Sequence, residues 1–199
     1  MARIDYFFSL LSPYTYLAGT RLEEIAVRHG ATVSYRPFDI LALFDRIGTL
    51  RPADRPQGRK DYRFQDLRRV AKKAGMPINL QPMFWPTNPA PASYAVIAAQ
   101  KAGGGDIGAL VHSLLRATWA EEKAIADDAV ITSCLAAAGF DPSLSFTGML
   151  SGAEAYAANL EEAHVRGVFG SPFYITDGDE RFWGQDRLDD LDLHLAGGL

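Results

Sequence analysis

The chain has 199 residues, 48% of them hydrophobic and 22% charged, the composition of a globular protein able to bury a sizeable core. Twenty Lys and Arg against twenty-four Asp and Glu leave a net charge of −4, so no global cationic excess would recruit nucleic acid or a membrane surface. The single cysteine, Cys134, excludes an intramolecular disulfide, a CxxC redox pair and a cysteine-based zinc site.

No run approaches the roughly 20 apolar residues of a membrane span. The opening Met1-Ala-Arg3 and the apolar Ile4 to Leu11 are interrupted by Asp5 and followed by no small-residue cleavage site, so they do not read as a secretory signal. The expected setting is cytoplasmic.

Ile4 to Ser9 is aromatic and apolar and stops at Ser12-Pro13, as a buried strand should. A helix is expected next, with Ser12 as N-cap, Pro13 as first residue, Leu17, Leu22, Ile25 and Ala26 on one face and Gly30 at its end. Thr32 to Arg36 alternates like a second strand, so the chain opens β-α-β with parallel strands and a right-handed crossover.

Apolar residues then recur at three- and four-residue intervals over 59–74, 91–102, 106–122, 127–138 and 151–165, which predicts helices. Asp127 is placed to cap one of them, and Ser151-Gly-Ala-Glu154 has the form of a capping box. Phe173 to Thr176, then Asp177-Gly-Asp179, then Arg181-Phe-Trp183 predict a hairpin. Gln185 to Leu195 reads as a closing helix. The order is β-α-β, a block of helices, then β-β-α, which fits a four-stranded mixed sheet interrupted by an all-helical insertion. The change of period places the boundaries near 38 and 166, giving 1–37 with 166–199 as one unit and 38–165 as the insertion.

Ser12 puts a hydroxyl at the mouth of a helix, where free backbone N–H groups and a partial positive charge favour an anion such as a thiolate. Ordinary N-capping is the competing reading. Other signals point to no chemistry. Gly103-Gly-Gly105-Asp-Ile-Gly108 has a GxGxxG pattern between helices, without the strand it would need. His29, His112, His164 and His194 lack metal-ligand spacing, and Cys134 falls on an apolar helix face. Residues 51–73 hold nine basic side chains against three acidic ones; a solvated face is the default account, and a local field that steers anions is the alternative.

The blocks Ile4-Asp-Tyr-Phe-Phe-Ser-Leu-Leu-Ser12-Pro-Tyr-Thr-Tyr16-Leu, Tyr35-Arg-Pro-Phe38, Gly167-Val-Phe-Gly-Ser-Pro172-Phe and Phe182-Trp-Gly-Gln-Asp-Arg187 together resemble the bacterial 2-hydroxychromene-2-carboxylate isomerases, relatives of the kappa-class glutathione transferases. The resemblance runs through essentially the whole chain. It implies an α/β, thioredoxin-like domain with a helical insertion, as in DsbA-like proteins. It also implies a glutathione-dependent isomerase of aromatic catabolism, interconverting 2-hydroxychromene-2-carboxylate and trans-o-hydroxybenzylidenepyruvate through transient thiolate addition. Homodimers are common among such relatives.

By this resemblance Ser12 stands where a thioredoxin has its nucleophilic cysteine and holds the thiol of glutathione, lowering the thiol pKa. Ser171-Pro172 matches the cis-proline position, with the Ser171 backbone facing the tripeptide; an ordinary trans proline opening a strand is the other reading. Trp183, Gln185 and Asp186 would meet the γ-glutamyl end, unless Asp186 only caps the last helix. Lys60, in Arg59-Lys-Asp-Tyr62, is the candidate for the glycine carboxylate, and Asn88 either meets substrate or caps a helix. This chain departs from many relatives in carrying Asp45 for a lysine and Thr49 for an asparagine, and Arg46 or Arg51 could take over those contacts. A kappa-like transferase, or a non-catalytic thiol- or peptide-binding protein on the same scaffold, are the alternative functions.

Overall fold

Strand β1 (Arg3–Phe8) is buried at every position after Arg3, because it lies inside a four-stranded sheet of order β2-β1-β3-β4. A strand covered on both faces reads as a continuous apolar run. β2 (Thr32–Pro37) pairs with it in parallel, and β3 (Phe173–Thr176) pairs antiparallel on the other side. β4 (Arg181–Trp183) completes the hairpin with β3. The computed structural model describes residues 1–199.

Alternation along β1 sorts its side chains onto two faces. Ile4, Tyr6 and Phe8 enter the larger core with Tyr35 and Tyr174; Tyr6 stacks on Tyr174 at 5.2 Å between ring centroids and on Phe8 at 4.7 Å. Phe7 enters a smaller core with Phe38, Leu43, Phe173 and Ile175. Asp5 shares that second face, where Arg3, Arg36 and Arg166 surround its carboxylate at 2.8, 3.0 and 2.6 Å.

The single helix expected after β1 is two: α1 (Pro13–Leu17) and α2 (Arg21–His29). Gly19 breaks them with φ +61°, a left-handed conformation that glycine adopts without steric cost. The apolar spacing hides the break, since Leu17, Leu22 and Ile25 are buried on both sides of it. α2 ends at Gly30, as its spacing predicts.

Between β2 and β3 the chain forms α3 (Ile40–Arg46), α4 (Gln57–Ala74), α5 (Ala90–Ala102), α6 (Ile107–Trp119), α7 (Asp128–Ala137), α8 (Leu144–Thr147) and α9 (Met149–Val165). α3 and α8 are too short to show a helical period. α3 is announced instead by Asp39, whose carboxylate accepts from the Leu41 and Ala42 N–H groups at 3.0 Å. Asp127 caps α7 as expected, accepting from Ala129 N–H at 2.9 Å.

Two helix ends differ from expectation. α6 stops at Trp119, and Glu122 has a positive φ. The capping box at Ser151 does not form: α9 starts at Met149, and the Ser151 hydroxyl lies inside it, donating to the Gly148 carbonyl at 3.4 Å. Ser151-Gly152 instead brings α9 close to α5, where a Cβ at Gly152 would fall 2.7–2.8 Å from Tyr94. The closing segment is likewise split, a 3₁₀ turn at Gln185–Arg187 preceding α10 (Leu188–Leu195).

Candidate active site

Between β1 and α1 the chain turns at Ser9–Ser12, with the Ser12 N–H donating to the Ser9 carbonyl at 3.0 Å. Ser12 is the N-cap: its Oγ accepts from the Thr15 N–H at 3.2 Å. The same hydroxyl donates to the Ser171 carbonyl at 3.0 Å. Capping and pointing at the facing loop are therefore both properties of one side chain. The Ser171–Pro172 peptide is cis.

A second set of hydroxyls fixes that facing loop. Ser171 Oγ accepts from the Ser9 N–H at 2.8 Å and is hydrogen-bonded to Thr15 Oγ1 at 2.8 Å. Ser9 and Thr15 are buried, so these bonds form where water competes little. The Ser171 N–H, in contrast, has no partner within the protein. Ser12, Ser171 and Pro172 are thus brought together, and Ser9 and Thr15 join them; the short polar run around Ser12 offered no sign that these two hydroxyls would turn toward residue 171.

Helix α4 flanks α1. The Tyr14 hydroxyl donates to Asp66 at 2.9 Å, and burial, followed by this hydrogen bond, pushes the phenol well above its ordinary pKa. Lys60 and Arg63 sit half-buried on the α4 face that further along carries Leu67 and Ala71. Arg63 lies over the Trp85 ring at 5.8 Å, and Arg55 over Phe44 at 5.5 Å. Lys60 makes no hydrogen bond with Ser12 or Ser171.

Trp183 ends β4, and the 3₁₀ turn Gln185–Arg187 that follows it packs beside α1. Trp183 is half-exposed and meets Phe169 edge-on at 4.8 Å. Gly170 lies under its indole, so that a Cβ there would fall 2.1 Å from Trp183 Nε1. The Gln185 carbonyl accepts from Arg21 Nη1 at 2.9 Å. Asp186 is exposed, caps no helix through its side chain, and pairs with Arg187 at 3.2 Å. Asn88 lies one residue before Pro89, the N-cap of α5, and its Oδ1 accepts from the Ala90 N–H at 3.1 Å.

The departures at 45 and 49 have a local consequence. Asp45 is bidentate with Arg51, with Arg51 Nε donating to Oδ1 at 2.8 Å, and Arg46 pairs with Glu161 at 2.6 Å. Both arginines are engaged in exposed ion pairs. Cys134 is buried on α7 in the larger core, and burial pushes its thiol up. His112 and Glu23 pair at 3.1 Å beside a cavity of about 360 Å³, and a cavity of about 520 Å³ opens beside Trp183 and Arg187. No group of three His, Cys, Asp or Glu could hold a metal, and no helix is long and apolar enough to cross a membrane.

A hydroxyl at the first helix facing a proline loop, on a mixed sheet with helices inserted between its halves, defines a class: over residues 3–196 the chain matches the DSBA-like thioredoxin domain family. Within that class it is 30% identical to a 2-hydroxychromene-2-carboxylate isomerase of Sphingobium xenophagum, covering 96% of this chain and 97% of the relative. A solved structure of 2-hydroxychromene-2-carboxylate isomerase superimposes with TM-score 0.78 at 28% identity, covering 98% of this chain and 95% of that one. The chain belongs to the 2-hydroxychromene-2-carboxylate isomerase family. A glutathione S-transferase kappa 1 of Caenorhabditis elegans matches in part, at 33% identity over 42% of this chain and 37% of the relative.

Proposed function

We propose that the protein is a glutathione-dependent isomerase interconverting 2-hydroxychromene-2-carboxylate and trans-o-hydroxybenzylidenepyruvate, or a closely related aromatic carboxylate, with Ser12 as the catalytic residue. The observation that carries this is the Ser12 hydroxyl, held by its capping bond from Thr15 with its proton directed at the Ser171 carbonyl. When bound, glutathione supplies the sulfur nucleophile that adds reversibly to the conjugated double bond.

The residues present fit that group. Ser171 offers an unpartnered N–H, and its carbonyl is freed when the Ser12 hydroxyl turns toward a sulfur. This leaves an edge of backbone able to pair with a peptide. Ser12 then donates to the thiolate, and the Tyr14 N–H, which has no partner within the protein, adds a second donor. α1 is only five residues long, so these two local donors carry more of the stabilisation than any extended helix dipole. Favouring the charged form in this way lowers the thiol pKa.

Trp183, Gln185 and Asp186 are proposed to meet the γ-glutamyl end: their segment lies against α1, and the exposed Asp186 carboxylate is available to an ammonium despite its exposed pair with Arg187. Lys60 is proposed for the glycine carboxylate, supported by its half-buried place on α4 without an ion pair. Asn88 toward substrate has less support, since its amide oxygen is engaged by Ala90. The division into 1–37 with 166–199 and a 38–165 insertion, the cytoplasmic setting and the homodimeric state complete the reading on the strength of the family resemblance.

The partial kappa-class match favours one second reading, transfer of glutathione to an electrophile. Product analysis with the chromene substrate and glutathione separates the two. Recovery of the ring-opened isomer with glutathione unconsumed is expected; a stable conjugate would replace isomerisation by transfer. No turnover and no glutathione binding at millimolar concentration would leave a non-catalytic binding protein.

A further inference from the structure

The start of α4 is built against helix convention. Its first turn contains no acid and carries Arg59 and Lys60, although cations near a helix N-terminus oppose the macrodipole. Arg55 precedes it and Arg63 follows one turn on. Of the nine basic residues between 51 and 73, only Arg51 and Arg69 find carboxylates, Asp45 and Asp66. Asp66, one turn beyond Arg63, is taken by the Tyr14 hydroxyl and by Arg69.

Arg55, Lys60 and Arg63 are the half-buried members of this group, and the two arginines among them are set against aromatic rings. Each lies over an aromatic ring, Phe44 and Trp85 respectively. Arg63 forms no hydrogen bond, and Arg55 uses only Nε, donating to the Leu50 carbonyl at 3.2 Å. Burial lowers both pKa values, with the neighbouring Arg59 and Arg63 adding repulsion at Arg55 and the Tyr14 phenol within electrostatic reach of both. The Trp85 indole N–H is likewise buried without an acceptor. Desolvated guanidinium groups without counter-ions are costly, whereas a planar fork on an aromatic shelf matches a carboxylate.

We propose that Arg55 and Arg63 form a carboxylate clamp beside the Ser12 site, with Phe44 and Trp85 as its aromatic walls. The clamp takes over the anion recognition that Asp45 and its partner Arg51 do not provide. The inference rests on the isomerase reading only for the identity of the ligand. Both glutathione and the aromatic oxo-acid bring carboxylates, so the test has an arm for each.

Calorimetric titration of the intact protein and its Arg63→Gln, Arg55→Gln and Arg63→Lys variants is done first with glutathione and then with the aromatic acid, with circular dichroism checking the fold. Loss of a charge-assisted, bidentate contact should weaken one ligand roughly ten- to a hundredfold, with Arg63→Lys intermediate. Weakening confined to glutathione assigns the clamp to the tripeptide, and weakening confined to the acid assigns it to substrate; either supports the proposal. Folded variants that bind both ligands like the parent overturn the clamp and leave the isomerase reading standing. Arginine-dependent binding of the acid without turnover keeps the clamp and removes the isomerase. A parent protein that binds neither ligand overturns both.

Discussion

Ser12 combines a structural bond from Thr15 with a donor bond to Ser171, and the two duties separate by substitution. Ser12→Ala removes the donor from the sulfur position and should lower isomerase turnover roughly a hundred- to thousandfold, the cost of losing one preorganised donor to a developing anion. Losing the N-cap also costs about 1 kcal/mol of stability, so steady-state rates are to be compared at a temperature where both proteins are folded. Thr15→Val keeps the shape but leaves Ser171 Oγ with only the Ser9 N–H; about 1–2 kcal/mol of stability should go with it, read from the denaturant midpoint. At this scale the sequence was legible where one residue faces one role. Ser12 was placed by its cap position and the resemblance, while Thr15 and Ser9 went unseen because their partner is some 160 residues away along the chain.

The existence of the elements with a long hydrophobic period is legible in the sequence; breaks and ends set by a local backbone event are not. The pattern after β1 reads as one continuous helix because Gly19 interrupts the backbone without interrupting the apolar face. Ser151-Gly-Ala-Glu154 satisfied a capping pattern, yet packing of α9 on α5 decided where the helix begins. That packing predicts the behaviour of Gly152. Alanine is the better helix former by about 1 kcal/mol, but its Cβ would stand 2.7–2.8 Å from the Tyr94 Cβ, Cα and carbonyl oxygen. Since backbone must move to admit it, Gly152→Ala should destabilise by about 1–3 kcal/mol instead of stabilising, as thermal unfolding will show. An increase in Tm would mean that α5 and α9 separate more easily than their contact indicates.

Across the whole molecule, Asp5 ties the sheet to the inserted helices. Burial alone would raise its pKa, but hydrogen bonds from Arg166, Arg3 and Arg36 outweigh burial and hold the carboxyl below its usual range. Arg36 also reaches Glu162 on α9 at 2.8 Å, so one cluster spans β1, β2 and the end of the helical block. A folded-state pKa below the unfolded value of about 3.9 gives stability that is present above that pH and is lost as pH falls through the folded value. Acid unfolding should therefore begin below about pH 4. Asp5→Asn should lower the neutral Tm and flatten the acid limb; an unchanged acid limb would assign it to other carboxylates. The net charge of −4 gives no hint of such organisation, because a global sum averages over positions that only the fold brings together; the basic excess over residues 51–73 is legible in the sequence, but not which of its cations lack a carboxylate partner.

Ser12, as proposed, stabilises the thiolate of a thiol that the chain itself does not supply. The most direct measurement is the ultraviolet thiolate absorbance of glutathione, titrated against pH free, bound to the protein, and bound to Ser12→Ala. The thiol should ionise on the parent protein well below the value of about 8.5 typical of a free thiol, and return toward that value on the variant. A bound thiol that titrates like free glutathione, or identically with and without the Ser12 hydroxyl, would contradict the account.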